Sequence, residues 1–391
     1  MQNVIKREKS GRNSPIIIQS NEENVLLELL QKRHDTEGER LKRFLAMPDL
    51  TRVSESPLKE LVARIVALPR FSDFDILKVP EIVSAEVSFD LFNFPADHPA
   101  RNRSDTYYVD DKHILRTHTT IMWYFYLNEP AIKARITNKE SVGSLSYGKV
   151  YRKDEIDRNH MNVFHQMDGW YLLPKNKGVI SVDDLKEVLI EIAQAIFGKE
   201  IEYRFNKDTF PYTNPSIEME IQREGRWIEV LGSGVVHPMV LQHLSVNPDE
   251  YTGWAFGFGL ERLAILAMNL PDIRLLWSTD ARVKKQLRLG RAYVPVSKYP
   301  KIERDISFVV GRDFVPNNYF DLIRDIGGDL IEEVALLDTY EDAEKFGKDK
   351  VSYTYRIIYR SGDRTLRSEE VDRLQNMLYQ ETAEQCHAEL R

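Results

Sequence analysis

Residues 282 to 304 constrain this chain more than any other stretch. They hold Arg282, Lys284, Lys285, Arg288, Arg291, Lys298, Lys301 and Arg304 against a single acid, Glu303, and Pro295 and Pro300 interrupt them. Unbalanced charge punctuated by proline reads as the end of one domain plus a linker. On charge alone the run is as much a solvated basic face as a nucleic-acid contact. The segments after it alternate strand at 306–310, helix at 317–326, strands at 330–340 and 351–359, and helix at 368–390. That order predicts a small α+β sandwich of ferredoxin type.

Upstream of the divide, apolar spacing predicts helices between 21 and 70, with Asn21 and Ser56-Pro57 as starts. From 75 to 94 the pattern turns strand-like and aromatic. Residues 101 to 173 mix short strands with dense His, Arg, Asp and aromatic content. Ser181 to Phe197 reads as a helix with Asp183 and Asp184 in its first turn and Gly198 after its end. Strands are expected at 202–203, 217–221 and 227–231, and a Gly-punctuated strand runs into a helix over 253–268. The expected division is a helical N-terminal extension (1–74), a main domain (75–290), a linker (291–298) and a C-terminal domain (299–391).

Composition narrows the classes. With 391 residues, 42% hydrophobic and 29% charged, the chain is of ordinary globular make-up. No apolar run reaches the ~18 residues of a membrane helix, so no membrane partner is expected. Cys386 is the one cysteine, which excludes an intramolecular disulfide and a thiolate zinc site. Lys6, Arg7, Lys9 and Arg12 hint at a basic targeting arm, but Glu8 interrupts it and no apolar core follows. A cytoplasmic location is the expectation, with the mitochondrial matrix as the alternative.

Three clusters carry chemistry. In Arg116-Thr-His-Thr-Thr120, a strand would put His118 and Thr120 on one face, although from these residues alone a satisfied histidine on a solvated strand is the stronger reading. The second runs from Arg152 through Asp154, Asp157 and His160 to Phe164, Gln166 and Asp168. A strand, loop and return strand would gather Arg152, His160, Gln166 and Asp168. Arg152 suits a phosphate, Phe164 offers a face for a purine, and Gln166 with Asp168 suits an ammonium group. The third, Trp254-Ala-Phe-Gly-Phe-Gly-Leu-Glu-Arg262, lacks the third glycine of a dinucleotide fingerprint. It places an arginine at a helix start, where a phosphate or a structural carboxylate would satisfy it. No P-loop occurs.

Taken in order, these clusters resemble the signature motifs of class II aminoacyl-tRNA synthetases, specifically the phenylalanyl-tRNA synthetase family. Pro80 to Pro95 echoes the first motif, Arg152 to Gly169 the second and Gly253 to Arg262 the third. His98-Pro-Ala-Arg101, Phe210 to Ser216, Glu218-Met-Glu220 and Glu229 to Pro238 fall between them. Tyr299 to Ser307, with Tyr355-Arg356, Tyr359-Arg-Ser361 and Asp363 to Leu366, resembles the family's ferredoxin-fold anticodon-binding domain. The fused arrangement is similar to the single-chain mitochondrial form. The resemblance implies an α+β fold: an antiparallel class II sheet flanked by helices, plus the C-terminal ferredoxin-like sandwich.

It also implies a reaction and its partners. Phenylalanine is activated by ATP, with Mg²⁺, to the adenylate and transferred to tRNA(Phe). Arg152, Arg262 and His160 are the implied catalytic contacts to the phosphates, and Phe164 stacks on adenine. Asp154 and Glu229 orient ATP, with Glu229 toward the metal. Gln166 and Asp168 take the substrate ammonium, with His118 and Thr120 nearby. Phe210, Tyr212 and Ala255 shape the ring pocket. Arg304, Arg356, Arg360 and Arg364 are the expected tRNA contacts, although each reads individually as a surface pair with Glu or Asp. No separate β subunit and no editing domain are implied, and a monomer is expected. The chain departs from the family at Ser104, Trp123 (usually Gln), Asp168 (usually Glu), Tyr212 (usually Phe) and Asn214. Two other readings compete: a paralogue that binds tRNA without charging it or has altered specificity, and a ligase for a non-tRNA acceptor. Intact Arg152, His160, Phe164 and Arg262 weigh against the first, and the C-terminal domain against the second.

Overall fold

The computed structural model describes residues 16–155, 157–295 and 299–391, and the backbone of 4–7. Lys9 and Arg12 of the basic arm, and Val296 to Lys298 of the expected linker, lie outside the described residues. The chain forms two compact units: 1–151 with 163–270 and 285–293, and 152–162 with 271–284 and 294–391.

The first unit begins with β1 (Val4–Arg7), β2 (Ile16–Gln19) and the helices α1 (Asn21–Gln31), α2 (Thr36–Ala46) and α3 (Pro57–Val66). Short polar residues start each helix. Ser20, Asp35 and Ser56 accept from backbone amides at 2.9–3.2 Å, and Pro57 fills the first helical position of α3. Next come β3 (Asp75–Lys78), β4 (Ile82–Ser84), α4 (Ala85–Ser88), β5 (His113–Leu115), α5 (Met122–Asn128) and α6 (Pro130–Thr137). The long strands β6 (Val142–Tyr151) and β7 (Val163–Pro174) lead to α7 (Val182–Phe197), which Ser181 and Asp184 start with a reciprocal capping box. Then follow β8 (Tyr203–Phe210), β9 (Thr213–Arg223), β10 (Arg226–Val236), α8 (Pro238–His243), β11 (Tyr251–Gly259) and α9 (Leu260–Met268).

Nine strands form one sheet in the order β1-β2-β3-β6-β7-β11-β10-β9-β8. It is antiparallel except where β3 pairs parallel with β2 and β6. The expected extension over 1–74 is therefore not a separate body: β1 and β2 extend the nine-stranded sheet. Strands β8 to β10 run eight to eleven residues, longer than the spacing predicted.

The second unit contains α10 (Ala281–Lys284), β12 (Ile302–Gly311), α11 (Pro316–Gly327), β13 (Ile331–Tyr340), β14 (Lys350–Tyr359), α12 (Ser368–Gln385) and β15 (Glu389–Leu390). Its sheet order is β13-β14-β12-β15, with Phe308, Tyr319, Tyr355, Ile357 and Leu378 buried in one core. The helix expected to reach 390 stops at Gln385. His387 takes a left-handed backbone at φ 49°, and the last residues turn back to pair with β12. Residues 152–162 and 271–284, expected in the 75–290 domain, group with this unit. Asn317 donates to the Lys153 carbonyl (3.1 Å), Lys153 to Asn318 (3.1 Å) and Asn162 to buried Asp321 (3.1 Å), while Arg324 donates to the Glu155 carbonyl at 2.9 Å.

Candidate active site

The site's floor follows from strand alternation. Along β11, residues 253, 255, 257 and 259 on one face are Gly, Ala, Gly and Gly, while 254, 256 and 258 on the other are Trp, Phe and Phe. The large rings stack in a row at 5.7–5.8 Å in the core. The opposite face is left bare of side chains. Gly257 pairs with Asp168 on β7 and with Gly232 on β10, so backbone lies beneath whatever occupies this face.

Asp168 is the focus of the bare face. It is buried, yet its carboxylate is satisfied: Thr120 Oγ1 donates to Oδ1 at 2.7 Å, and Thr119 Oγ1 makes a very short bond to Oδ2. The sequence pointed to Thr120 and missed Thr119. It assumed a strand, whereas 116–121 follows β5 as a turn into α5, and a turn lets adjacent side chains converge. Gln166, two residues from Asp168 on the same face, has its side-chain oxygen buried with no donor among the described residues. A fixed carboxylate beside an open amide acceptor is a receptor for an ammonium group.

Aromatic rings enclose the space beside Asp168. Phe210 and Tyr212 stack at 5.9 Å, Tyr212 meets Trp123 edge-on at 6.4 Å, and Trp123 lies flat on Trp170 at 4.7 Å. Phe94 stacks on His118 at 5.8 Å and tilts against Tyr212. Ala255 sits in the same cluster. His118 is turned to the Ser88 carbonyl at 2.9 Å, so its Nε2 serves the wall and not Asp168. Phe92 and Phe94 were not singled out in the sequence. They belong to a turn in which Asn93 takes φ 61° and donates to the Pro211 carbonyl at 3.1 Å, tethering that turn to the Phe210–Tyr212 segment. The indole N–H of Trp123 is buried and meets no acceptor among the described residues.

Phe164 lies half-buried on the same face of β7 as Gln166 and Asp168. Arg262 opens α9 and is half-exposed, with Nη1 3.6 Å from Glu229 Oε2. Burial pushes the Glu229 carboxyl up; Arg262 offsets part of this, while Glu218, Asp208 and Glu220 add to it. Glu220 is engaged by Asn206 at 2.7 Å and by Arg204. Among the described residues no group of three or more His, Cys, Asp or Glu side chains is arranged to hold a metal ion. Glu229 alone does not build a resident metal site.

The remaining expected residues lie in the second unit. Arg152 and Asn162 close the 152–162 segment through their backbones at 3.0 Å, and Asp157 holds His160 Nδ1 at 2.8 Å. Asp154 accepts from the next residue's amide at 3.1 Å. Each of the four expected tRNA-contacting arginines has an acidic partner. Arg356 pairs with Asp305, Arg304 with Asp372 on α12, Arg360 with Glu332 and Arg364 with Glu370. Of these pairs, Arg356–Asp305 joins two neighbouring strands, and Asp372 and Glu370 belong to α12.

Comparison with known proteins fits this architecture. Residues 43–287 match the model for the class II core domain (F) of tRNA synthetases, and residues 297–391 match the ferredoxin-fold anticodon-binding domain. The chain is 39% identical over 333 residues to the chloroplastic/mitochondrial phenylalanine–tRNA ligase of Arabidopsis thaliana, covering 82% of this chain and 73% of that one. It is 33% identical over 391 residues to the mitochondrial phenylalanine–tRNA ligase of Saccharomyces cerevisiae, covering 79% and 81%. The phenylalanine–tRNA ligase alpha subunit of Caldicellulosiruptor saccharolyticus is 40% identical over 228 residues, covering 55% and 63%. The cytoplasmic expectation finds no support, since the single-chain relatives bear organellar names. A class II core model over residues 43–287, an anticodon-binding model over 297–391 and phenylalanine–tRNA ligases matched over 73–81% of their own length together place this chain in the class II tRNA synthetase family of phenylalanine type.

Proposed function

We propose that this chain activates phenylalanine with ATP and esterifies it to tRNA(Phe), and that the bare face of β11 is where activation occurs. The observation that carries the residue-level reading is the juxtaposition of buried Asp168, held by Thr119 and Thr120, with the open Gln166 oxygen. These take the substrate ammonium. The phenyl ring lies among Phe210, Tyr212, Phe94 and Trp123 above Ala255, and each ring contact adds about 0.5–1.5 kcal/mol beyond burial.

With the amino acid so held, its carboxylate attacks the α-phosphorus of ATP. A new oxygen–phosphorus bond forms as the bond to pyrophosphate breaks. Phe164 stacks on adenine, and Arg262 meets charge at the far phosphate end. Arg152, His160 and Asp154 are assigned to the nucleotide on motif spacing. Mg²⁺ arrives with ATP, and Glu229 is the carboxylate assigned to it. No side chain forms a covalent intermediate; positioning and charge stabilisation carry the rate. The adenylate then passes its acyl group to the 2′-hydroxyl of the terminal tRNA adenosine, releasing AMP.

A monomer acting without a β subunit, in an organelle, is the reading that the fused architecture and the names of the relatives favour. The test is charging of tRNA(Phe) with labelled phenylalanine by the purified chain alone. Charging that Asp168→Asn suppresses mainly through the KM for phenylalanine supports the proposal. A well-folded chain that binds tRNA but charges nothing contradicts it and favours the non-catalytic paralogue.

A further inference from the structure

His165 lies between Phe164 and Gln166 but on the opposite, buried side of β7, with no exposed surface. Its ring is bonded at both nitrogens. Nε2 accepts from the Leu50 amide at 2.9 Å, so the ring proton sits on Nδ1 and is donated to Glu261 Oε1 at 2.6 Å. Asp49 lies 3.5 Å from Nε2. The His165 backbone amide also donates to the Glu261 carboxylate, at 3.0 and 2.8 Å.

The location explains why such a bond is needed. Strand β11 ends at Gly259, which pairs with Gln166. Beyond that point β7 has no ladder partner on this side among the described residues, and an unpaired buried amide is costly. Glu261, the second residue of α9, supplies the missing acceptor from its side chain. Glu261 is itself 3% exposed and precedes Arg262. One buried carboxylate therefore fixes the start of α9 against β7 at the point where Phe164 leaves on the other face.

We propose that His165 and Glu261 are positioning residues for the nucleotide half of the reaction. They set the separation between the Phe164 ring and the Arg262 guanidinium through the bond between His165 and Glu261. The inference rests on the reading of Phe164 and Arg262 as ATP contacts. The ammonium site lies further along β7, where the β11 ladder is intact and Thr119 and Thr120 hold Asp168, so it depends less on this pair.

The test uses the full chain and phenylalanine-dependent ATP–pyrophosphate exchange. In His165→Asn the amide nitrogen falls near the place of Nδ1 and keeps the bond to Glu261. In His165→Gln the amide falls near Nε2 and loses it. The expected result is a KM for ATP within about threefold of wild type for H165N and raised about tenfold or more for H165Q, with the KM for phenylalanine moving much less in both. If H165Q does not fold, Glu261→Gln, which keeps the shape but weakens the acceptor, is expected to raise the KM for ATP in the same selective way. Equal loss for ATP and phenylalanine, or an unchanged KM for ATP in folded H165Q or E261Q, overturns the proposal. Absence of exchange in the wild-type chain refutes instead the functional reading beneath it.

Discussion

A methyl group added at Gly257 tests the ammonium site from below. An alanine Cβ there would stand 2.9 Å from Asp168 Oδ1, 3.2 Å from its Cγ and 3.4 Å from Oδ2. Ordinary contact begins near 3.4 Å, so Oδ1 must withdraw by about 0.5 Å. The carboxylate is not free to swing, because Thr120 holds Oδ1 at 2.7 Å and Thr119 holds Oδ2. Withdrawal lengthens or misaligns a charge-assisted bond worth about 1.5–3 kcal/mol. A loss of about 1.5–2 kcal/mol in ammonium binding is about 10–30-fold in affinity. Gly257→Ala is therefore expected to raise the KM for phenylalanine by about that factor in pyrophosphate exchange at saturating ATP, and to leave the KM for ATP nearly unchanged. A folded variant with a phenylalanine KM within about twofold of wild type would refute the reasoning, as would an equal rise for ATP.

Further outcomes follow from other contacts. Trp123 and Trp170 stack together in the core, but the Trp170 N–H donates to Ser144 Oγ at 2.6 Å, whereas the Trp123 N–H finds no acceptor among the described residues. Trp170→Phe should cost about 1–3 kcal/mol more stability than Trp123→Phe in urea unfolding; an equal or reversed order contradicts this. In the second unit, the Arg364 guanidinium beside Glu370, with the Arg367 amide, lowers the carboxyl from its ordinary 4.5 to about 2. A depressed carboxyl stabilises the fold above its ordinary value, and that contribution is lost as pH falls through the folded value. The stability difference between wild type and Glu370→Gln should therefore be full at neutral pH and shrink from 4.5 toward 2; a pH-independent difference rules out the pairing. Gly232→Ala would place its Cβ 2.9 Å from the Phe210 ring, so it should alter the KM for phenylalanine while sparing the KM for ATP. Equal effects on both substrates contradict the placement of Phe210 at the ring pocket.

How much the sequence revealed depended on whether local rules and tertiary needs agreed. Ser181 before an apolar-periodic run marked the start of α7, and Pro57 after Ser56 marked α3, because capping is a local interaction. Strands β8 to β10 read too short for a physical reason. Arg204, Asn206, Glu218, Glu220 and Glu229 crowd one face of that sheet, so the alternation expected of a half-buried strand is overwritten by charge. The strand β15 was missed because it depends on His387 adopting a left-handed backbone, with no glycine to announce it. At the site, Asp168 and Gln166 were legible because period-two spacing puts them on one face. Thr119 and the Phe92–Phe94 turn were not, because their convergence on the site is set by turns with no periodic signal. The pairing of His165 with Glu261 spans 96 positions, and neither residue hints at its partner.

The central claim is that the bare face of β11 activates phenylalanine. Amino-acid-dependent ATP–pyrophosphate exchange tests it most directly, with phenylalanine, tyrosine and a panel of other amino acids compared in the purified chain. Exchange led by phenylalanine and abolished or sharply weakened by Asp168→Asn is the result predicted. Exchange led by another amino acid, or exchange with phenylalanine that Asp168→Asn leaves intact, would contradict the site as built here.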